Sequence, residues 1–420
     1  MMNFQKYIPG FQLSHCFRFV KLPSVLLLTV LLLQLSTAVW SQAYPTNSNQ
    51  NQMNSNVAIT YDMSAQYSVL MDPMYGYGGN ENATNFSARV YWERYCSANP
   101  NDEVAWFNNY RSTRFIAEGS AGFGELQSDL DSICNHLKSH SSGTWEQLIV
   151  DYWNSNRDPK KEASLQAAYK LRPNDPLTLR FMAGANYFAG KTASVYDCYV
   201  KWKATGDLPL STENYAYNVM QSVPNDAIIF TNGEMDTYPL LYQLQTIGSS
   251  GVKVVSIALC NRAENRTKIF SYAGLKIPDG DLSSAIDGRY IARVAEANPG
   301  KKIYVASTCG PTILKSLQSN LYCTGLAFRY SNTSIDHLVF LRDNVGTKFR
   351  LDGVGKSRNP KNHFDVFYAN QLEMNYYLPL LMAADGYVTA GNAKRAAELR
   401  TKAMQVRTKA GYDTPLRSEE

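Results

Sequence analysis

PNDAIIFTNGEMDTYPLLYQLQ, residues 224–245, is where the chain changes period. AIIF (227–230) is a short β-branched and aromatic run, TNGEMDT (231–237) is rich in turn formers, and the segment from about Pro239 has helical spacing. Upstream, apolar residues recur at helical intervals. Downstream, VKVVSIAL (252–259), KKIYVAS (301–307), LYCTGLAFRY (321–330) and IDHLVFLR (335–342) read as strands separated by helical segments. Strands alternating with helices imply a small, mainly parallel α/β sheet. The last two runs, separated by SNTS, read as an antiparallel edge.

The helical part has its own punctuation. Pro-Asn-Asp occurs at 100–102, 173–175 and 224–226. Proline stops the preceding helix, and Asn or Asp offers an oxygen to the first free amides of the next. EASLQAAYKLRPNDPLTLRFMAGANYFAGKTASVYDCYVKW (162–202) resembles degenerate tetratricopeptide repeats in its small, aromatic and proline positions, although the tripeptides are not spaced by a regular 34 residues. NQLEMNYYLPLLMAADGYVTAG and NAKRAAELRTKAMQVRTKA form one more hairpin, broken at Gly391 and Asn392. The expected fold class is therefore α+α/β, with helical hairpins flanking the sheet. The expected organisation is a signal peptide at 1–41, a flexible leader at 42–83, a helical repeat domain at 84–222, an α/β domain at 223–345 and a helical hairpin at 346–420.

Destination is read from the N-terminus. Lys6, Arg18 and Lys21 precede LPSVLLLTVLLLQLSTAV, and small residues follow near Ser41 and Ala43. This is the pattern of a secretory signal, with an uncleaved anchor as the alternative. Taking its three basic residues from 41 leaves 38 against 36 acidic ones, a net charge near +2. That balance argues against a nucleic-acid partner. Cys96, Cys134, Cys198, Cys260, Cys309 and Cys323 lie beyond the signal without metal spacing. Disulfide pairing and buried free thiols both remain open.

Two strand-to-helix turns are the candidate sites, because ligands of open parallel sheets sit beyond the carboxyl ends of strands. In the first, Glu234 and Asp236 could serve as acid and base or hold a cation. Thr231 and Asn232 could orient a polar ligand, and Gly233 would allow a tight turn. The competing reading is structural: Asp236 caps the following helix. The second turn, STCGPTILKSL (307–317), places Cys309 near a helix start, with His337 and His363 as the available bases. A buried thiol is the simpler expectation. There is no P-loop, HExxH helix, EF-hand or GxSxG elbow, and no cofactor or metal is expected.

PNDAIIFTNGEMDTYPLLYQLQ, GVKVVSIALCN and LYCTGLAFRYSN, followed by a helical repeat, together resemble the extracytoplasmic C-terminal region of a bacteroidete membrane-protein family. The N-terminal part of that family looks like a multi-spanning protein O-mannosyltransferase. The resemblance covers about residues 155–410, and FTNGEMDTYPL is its most specific block. The multi-spanning half, with its acidic catalytic loop, has no counterpart here, so glycosyl transfer does not carry over. The resemblance implies an exported module of the cell envelope, periplasmic or surface-associated. The leading expectation is a non-enzymatic scaffold that binds envelope or outer-membrane proteins through its helical repeats. The alternatives are an enzyme or binding module acting on a glycan or lipid-linked sugar at the 231–238 loop.

Overall fold

The computed structural model describes residues 79–118, 123–206, 208, 211–247, 251–356 and 372–409. The signal segment, most of the leader and His363 lie outside them. The protein is mostly helical with one small mixed sheet, the expected α+α/β class. It divides into two compact units that part between Ala185 and Asn186.

The first unit is built from α1 (Gly79–Ala98), α2 (Glu103–Ile116), α3 (Phe123–His140), α4 (Trp145–Asn154), α5 (Glu162–Leu171) and the start of α6 (Pro176–Phe188). From α1 to α5, each helix packs on the next in the chain. Two of the three Pro-Asn-Asp turns work as their chemistry suggests. The Asp102 carboxylate accepts from the Ala105 amide at 3.0 Å, and Asp175 accepts from the Thr178 amide at 2.8 Å with Pro176 opening the helix. The Pro100 carbonyl is held by the Trp106 indole N–H at 3.0 Å and by His136 Nε2 at 2.8 Å. The core is aromatic: Trp153 meets Tyr110 and Phe181 edge-on, at centroid separations of 5.7 and 5.3 Å. Each such buried ring contributes about 1.5–3 kcal/mol by leaving water. Buried Glu146 is neutralised by Arg172 at 2.7 Å, and the Arg172 guanidinium lies 4.4 Å from the centroid of the Trp145 ring.

The third Pro-Asn-Asp leads into a strand instead. The β-branched run after it has a better partner in a sheet than in a helix. Asp226 therefore pairs with Lys302 on the neighbouring strand, at 2.8 Å. In this second unit α7 (Thr192–Ala204) and α8 (Ser211–Gln221) precede β1 (Ala227–Thr231). There follow α9 (Glu234–Ile247), β2 (Lys253–Ser256), α10 (Ala263–Ala273), α11 (Gly288–Ala297), β3 (Lys302–Ala306), α12 (Pro311–Leu317), β4 (Leu321–Cys323), β5 (Ala327–Tyr330), α13 (His337–Asp343), α14 (Tyr377–Thr389) and α15 (Ala393–Lys409).

The sheet order is β2-β1-β3-β5-β4. β1 pairs in parallel with β2 and β3, whereas β5 is antiparallel to both β3 and β4. Every residue of β1 is buried, as a central strand covered on both faces requires. The C-terminal hairpin of α14 and α15 turns at Gly391, whose φ is +77°, and Asn392 caps α15 through the Arg395 amide at 3.1 Å. Buried Asn218 ties α8 to a loop far along the chain. It exchanges two hydrogen bonds with the Arg350 backbone, at 2.7 and 2.9 Å, and donates to the Tyr376 hydroxyl at 2.7 Å.

Three sequence expectations are corrected. IDHLVFLR is not a strand: it forms α13, and its buried residues His337 and Leu341, continued by Val345, recur every fourth position while Leu338, Val339 and Phe340 are exposed. The antiparallel edge pair lies inside 321–330, folded back at Thr324–Leu326. Gly325 there has φ +141°, and Ser222 Oγ occupies the space a side chain would need. Finally, α9 starts at Glu234 and not near Pro239, which sits inside the helix.

Two features yield predictions. At the free edge of β2 the Tyr187 hydroxyl donates to the Val254 carbonyl at 2.7 Å and accepts from the Ser256 amide at 3.1 Å. Tyr187→Phe leaves both buried backbone groups unpaired and should lower stability by about 1–3 kcal/mol in urea unfolding, with faster amide exchange at Ser256. Unchanged stability and exchange would contradict this role.

Asp281 accepts from the Ser283 and Ser284 amides and pairs with Arg293 at 2.9 Å. Hydrogen bonds from Ser284 and then Arg293 hold its carboxyl well below the usual carboxylate range. A depressed folded-state pKa stabilises above the unfolded value, about 3.9, and that contribution disappears as pH falls through the folded value. Asp281→Asn should therefore lower the urea midpoint at pH 7, and its deficit should shrink progressively below about pH 4. A deficit that is constant or growing toward acid pH would rule this out.

Candidate functional site

The order β2-β1-β3 creates a switch point. The chain leaves β1 toward β2 on one side, and β3 lies on the other. The crevice at the carboxyl ends of β1 and β3 is where open α/β sheets receive ligands. Its walls are Thr231 at the end of β1, the start of α9, Ala306 and Thr308 at the end of β3, Leu372 and the face of α8 that carries Tyr215 and Val219.

The geometry of the first loop follows from one carboxylate. Asp236, third residue of α9, reaches back to accept from the Gly233 and Asn232 amides, both at 2.8 Å. This is the returning half of a capping box, and it places negative charge at the positive end of the helix. Thr308, just beyond β3, donates its hydroxyl to the same carboxylate. Thr231 and Thr237 share a hydrogen bond of 2.7 Å, and the Thr237 hydroxyl also donates to the Gly233 carbonyl. The Thr231 and Asn232 carbonyls accept from the Ile257 and Ala258 amides at 2.8 and 3.0 Å, so the β1–β2 ladder runs on into the loop.

The five candidate residues are thus close in space but not alike in role. Asp236 and Thr231 line the crevice. Asn232 is exposed, while Glu234 is only 7% exposed and accepts from the buried Tyr238 hydroxyl at 3.3 Å. Of these two carboxylates, Asp236 lines the crevice and Glu234 is not among its lining residues. Gly233 has no left-handed φ, and a Cβ there would meet only the Ala258 Cβ at 3.9 Å, so the turn does not depend on glycine. Asp236 has no ion pair among the described residues, and burial raises its carboxyl pKa against the three donors it receives.

The second loop is equally occupied. Ser307 Oγ shares a hydrogen bond of 2.8 Å with the Tyr215 hydroxyl and donates to the Leu326 carbonyl at 2.9 Å. The Cys309 thiol is buried on the Phe230 carbonyl at 3.4 Å, and burial pushes its pKa well above the usual value. Both features favour the protonated thiol. His337, its sequence-level base, is itself buried edge-on against Tyr322 and has its pKa lowered by burial. All six described cysteines are buried free thiols.

What remains is a mostly apolar gap with room for about one water. Thr308 and Tyr215 escaped the sequence reading. The order of the strands, which brings the end of β3 beside that of β1, is the signal that would have found Thr308. No described helix is long and apolar enough to cross a membrane.

Asp236→Ala should destabilise by about 0.5–2 kcal/mol, as lost caps do. Thr308→Val should lose about 1 kcal/mol. Because the two side chains share one bond, the double variant should lose less than the sum in urea unfolding. Strict additivity would show that the Thr308–Asp236 bond contributes nothing.

No match to the chain was found among curated proteins or among solved structures. Residues 212–263, from α8 through β1, α9 and β2 to the first residue of α10, match the family described as TMEM260-associated domain 2.

Proposed function

We propose that this protein is a non-catalytic, exported interaction module of the cell envelope, working beside surface-glycan or secretion machinery. The observation that carries the reading is the occupancy of the crevice. Asp236 is already held by Asn232, Gly233 and Thr308, and the Cys309 thiol is sealed against Phe230. A substrate would have to displace hydrogen bonds that also hold two strand ends together.

The match to a TMEM260-associated domain is compatible with this role and assigns no catalytic residue. The helical hairpins supply the binding surface in this reading. Phe86 and Val90, one turn apart on α1, are each 48% exposed, and Leu338, Val339 and Phe340 are exposed together on α13. Apolar side chains clustered at the surface are common at protein contacts.

A second reading keeps the 231–238 loop as a glycan or lipid-linked sugar site, and its position at the switch point favours it. Capture from native envelopes separates the two. The full chain should retain a reproducible set of proteins by mass spectrometry, Asp236→Asn should retain the same set, and Phe86→Asp with Val90→Asp should lose it. Glycan-array binding by the wild type that disappears in Asp236→Asn, with no protein captured, would overturn the interaction reading in favour of the second.

A further inference from the structure

Arg266 is a buried arginine, 1% exposed, without a carboxylate partner among the described residues. Its Nε donates to the Cys260 carbonyl at 3.0 Å, and its guanidinium lies 4.9 Å from the centroid of the Tyr290 ring. Its Nη1 is buried without a hydrogen-bond partner. Arg293 also lies over Tyr290, at 5.1 Å, but is already paired with Asp281. Removing a guanidinium from water without an anion is costly, and buried charges are normally paired or bind a ligand.

The surroundings of the guanidinium are rich in donors. Arg266 is the fourth residue of α10, and helical side chains lean toward the N-terminus of their helix. The bond to Cys260 accordingly sets its head against the turn that leads into the helix. The first turn of α10 is uncapped, since Arg262 at the cap position makes no side-chain hydrogen bond to it. Helix amides without a cap, next to a guanidinium, form a donor set for oxyanions. Ser256 Oγ, at the end of β2, is a further hydroxyl buried without a partner. The position is the carboxyl end of β2, one strand away from the occupied crevice.

We propose that Arg266 anchors a site for a small oxyanion, a phosphate or carboxylate group, at the N-terminus of α10. The guanidinium supplies the charge, and the Ala263–Asn265 amides supply further donors. This site is separate from the Asp236 crevice and does not depend on the interaction reading.

The test is a titration of the full chain with inorganic phosphate, followed by phosphorus NMR at constant ionic strength and repeated with acetate as competitor. Wild type should bind phosphate saturably. Arg266→Gln should abolish that binding, Arg266→Lys should weaken it by about tenfold or more, and Arg289→Gln, at an exposed arginine, should leave it unchanged. Displacement by acetate extends the site to carboxylates, and failure of acetate to compete assigns it to phosphate groups alone. Absence of saturable binding of both anions by the wild type, or undiminished binding in Arg266→Gln, overturns the proposal. Should Arg266→Gln not fold, Arg266→Lys that binds as tightly as the wild type overturns it instead.

Discussion

The Asp236 carboxylate holds together the part of the second unit on which its remaining geometry depends. Two amides of its own loop and the Thr308 hydroxyl from the loop after β3 converge on it. A helix cap is thereby turned into a clasp between adjacent parallel strands. Capping is ordinarily a local matter. Here the same two oxygens also fix the separation of the β1 and β3 ends, and therefore the width of the crevice between them. Tyr215, bonded to Ser307, and Asn218, bonded to the Arg350 backbone, then seat α8 over that end of the sheet.

The functional consequence follows from how few free groups this leaves. An active crevice needs acceptors or donors not already used by the fold. In this one Asp236, Thr231 and Thr308 are engaged in hydrogen bonds within the fold, and the Cys309 thiol is buried. The family match covers the α8 wall, β1, the clasp loop, α9 and β2, but stops before Thr308. The matched segment therefore holds the carboxylate of the clasp, and its hydroxyl partner comes from further along the chain.

Much of this was legible from residue patterns. The change of period at Pro224, the three strands at 227–230, 252–259 and 301–307, and Asp236 as a residue satisfying the helix start could all be read locally, because each depends on neighbours within a few positions. The misreadings share a cause. IDHLVFLR is rich in strand formers, yet its buried positions recur every fourth residue into Val345, beyond the window read as a strand. LYCTGLAFRY looks continuous, and only the fold-back at Gly325 divides it. Pro-Asn-Asp is followed by a helix twice and a strand once, so the tripeptide marks a stop without specifying what comes next. Thr308 and Arg266 were invisible because their significance lies in contacts that only tertiary structure creates.

The Tyr187 hydroxyl has an implication beyond local bonding. An outermost strand ordinarily presents alternate carbonyls and amides as a template on which another chain can lay a further strand. On β2 one such carbonyl and the amide two residues later are engaged by a single phenol oxygen. A second molecule approaching that side would find its first ladder position filled by a side chain that offers no backbone to continue from. The ring behaves as a chain terminator for the sheet, adding to the charge of Lys253 at the start of the same strand a block to self-templated strand addition that needs neither a proline nor a bulge.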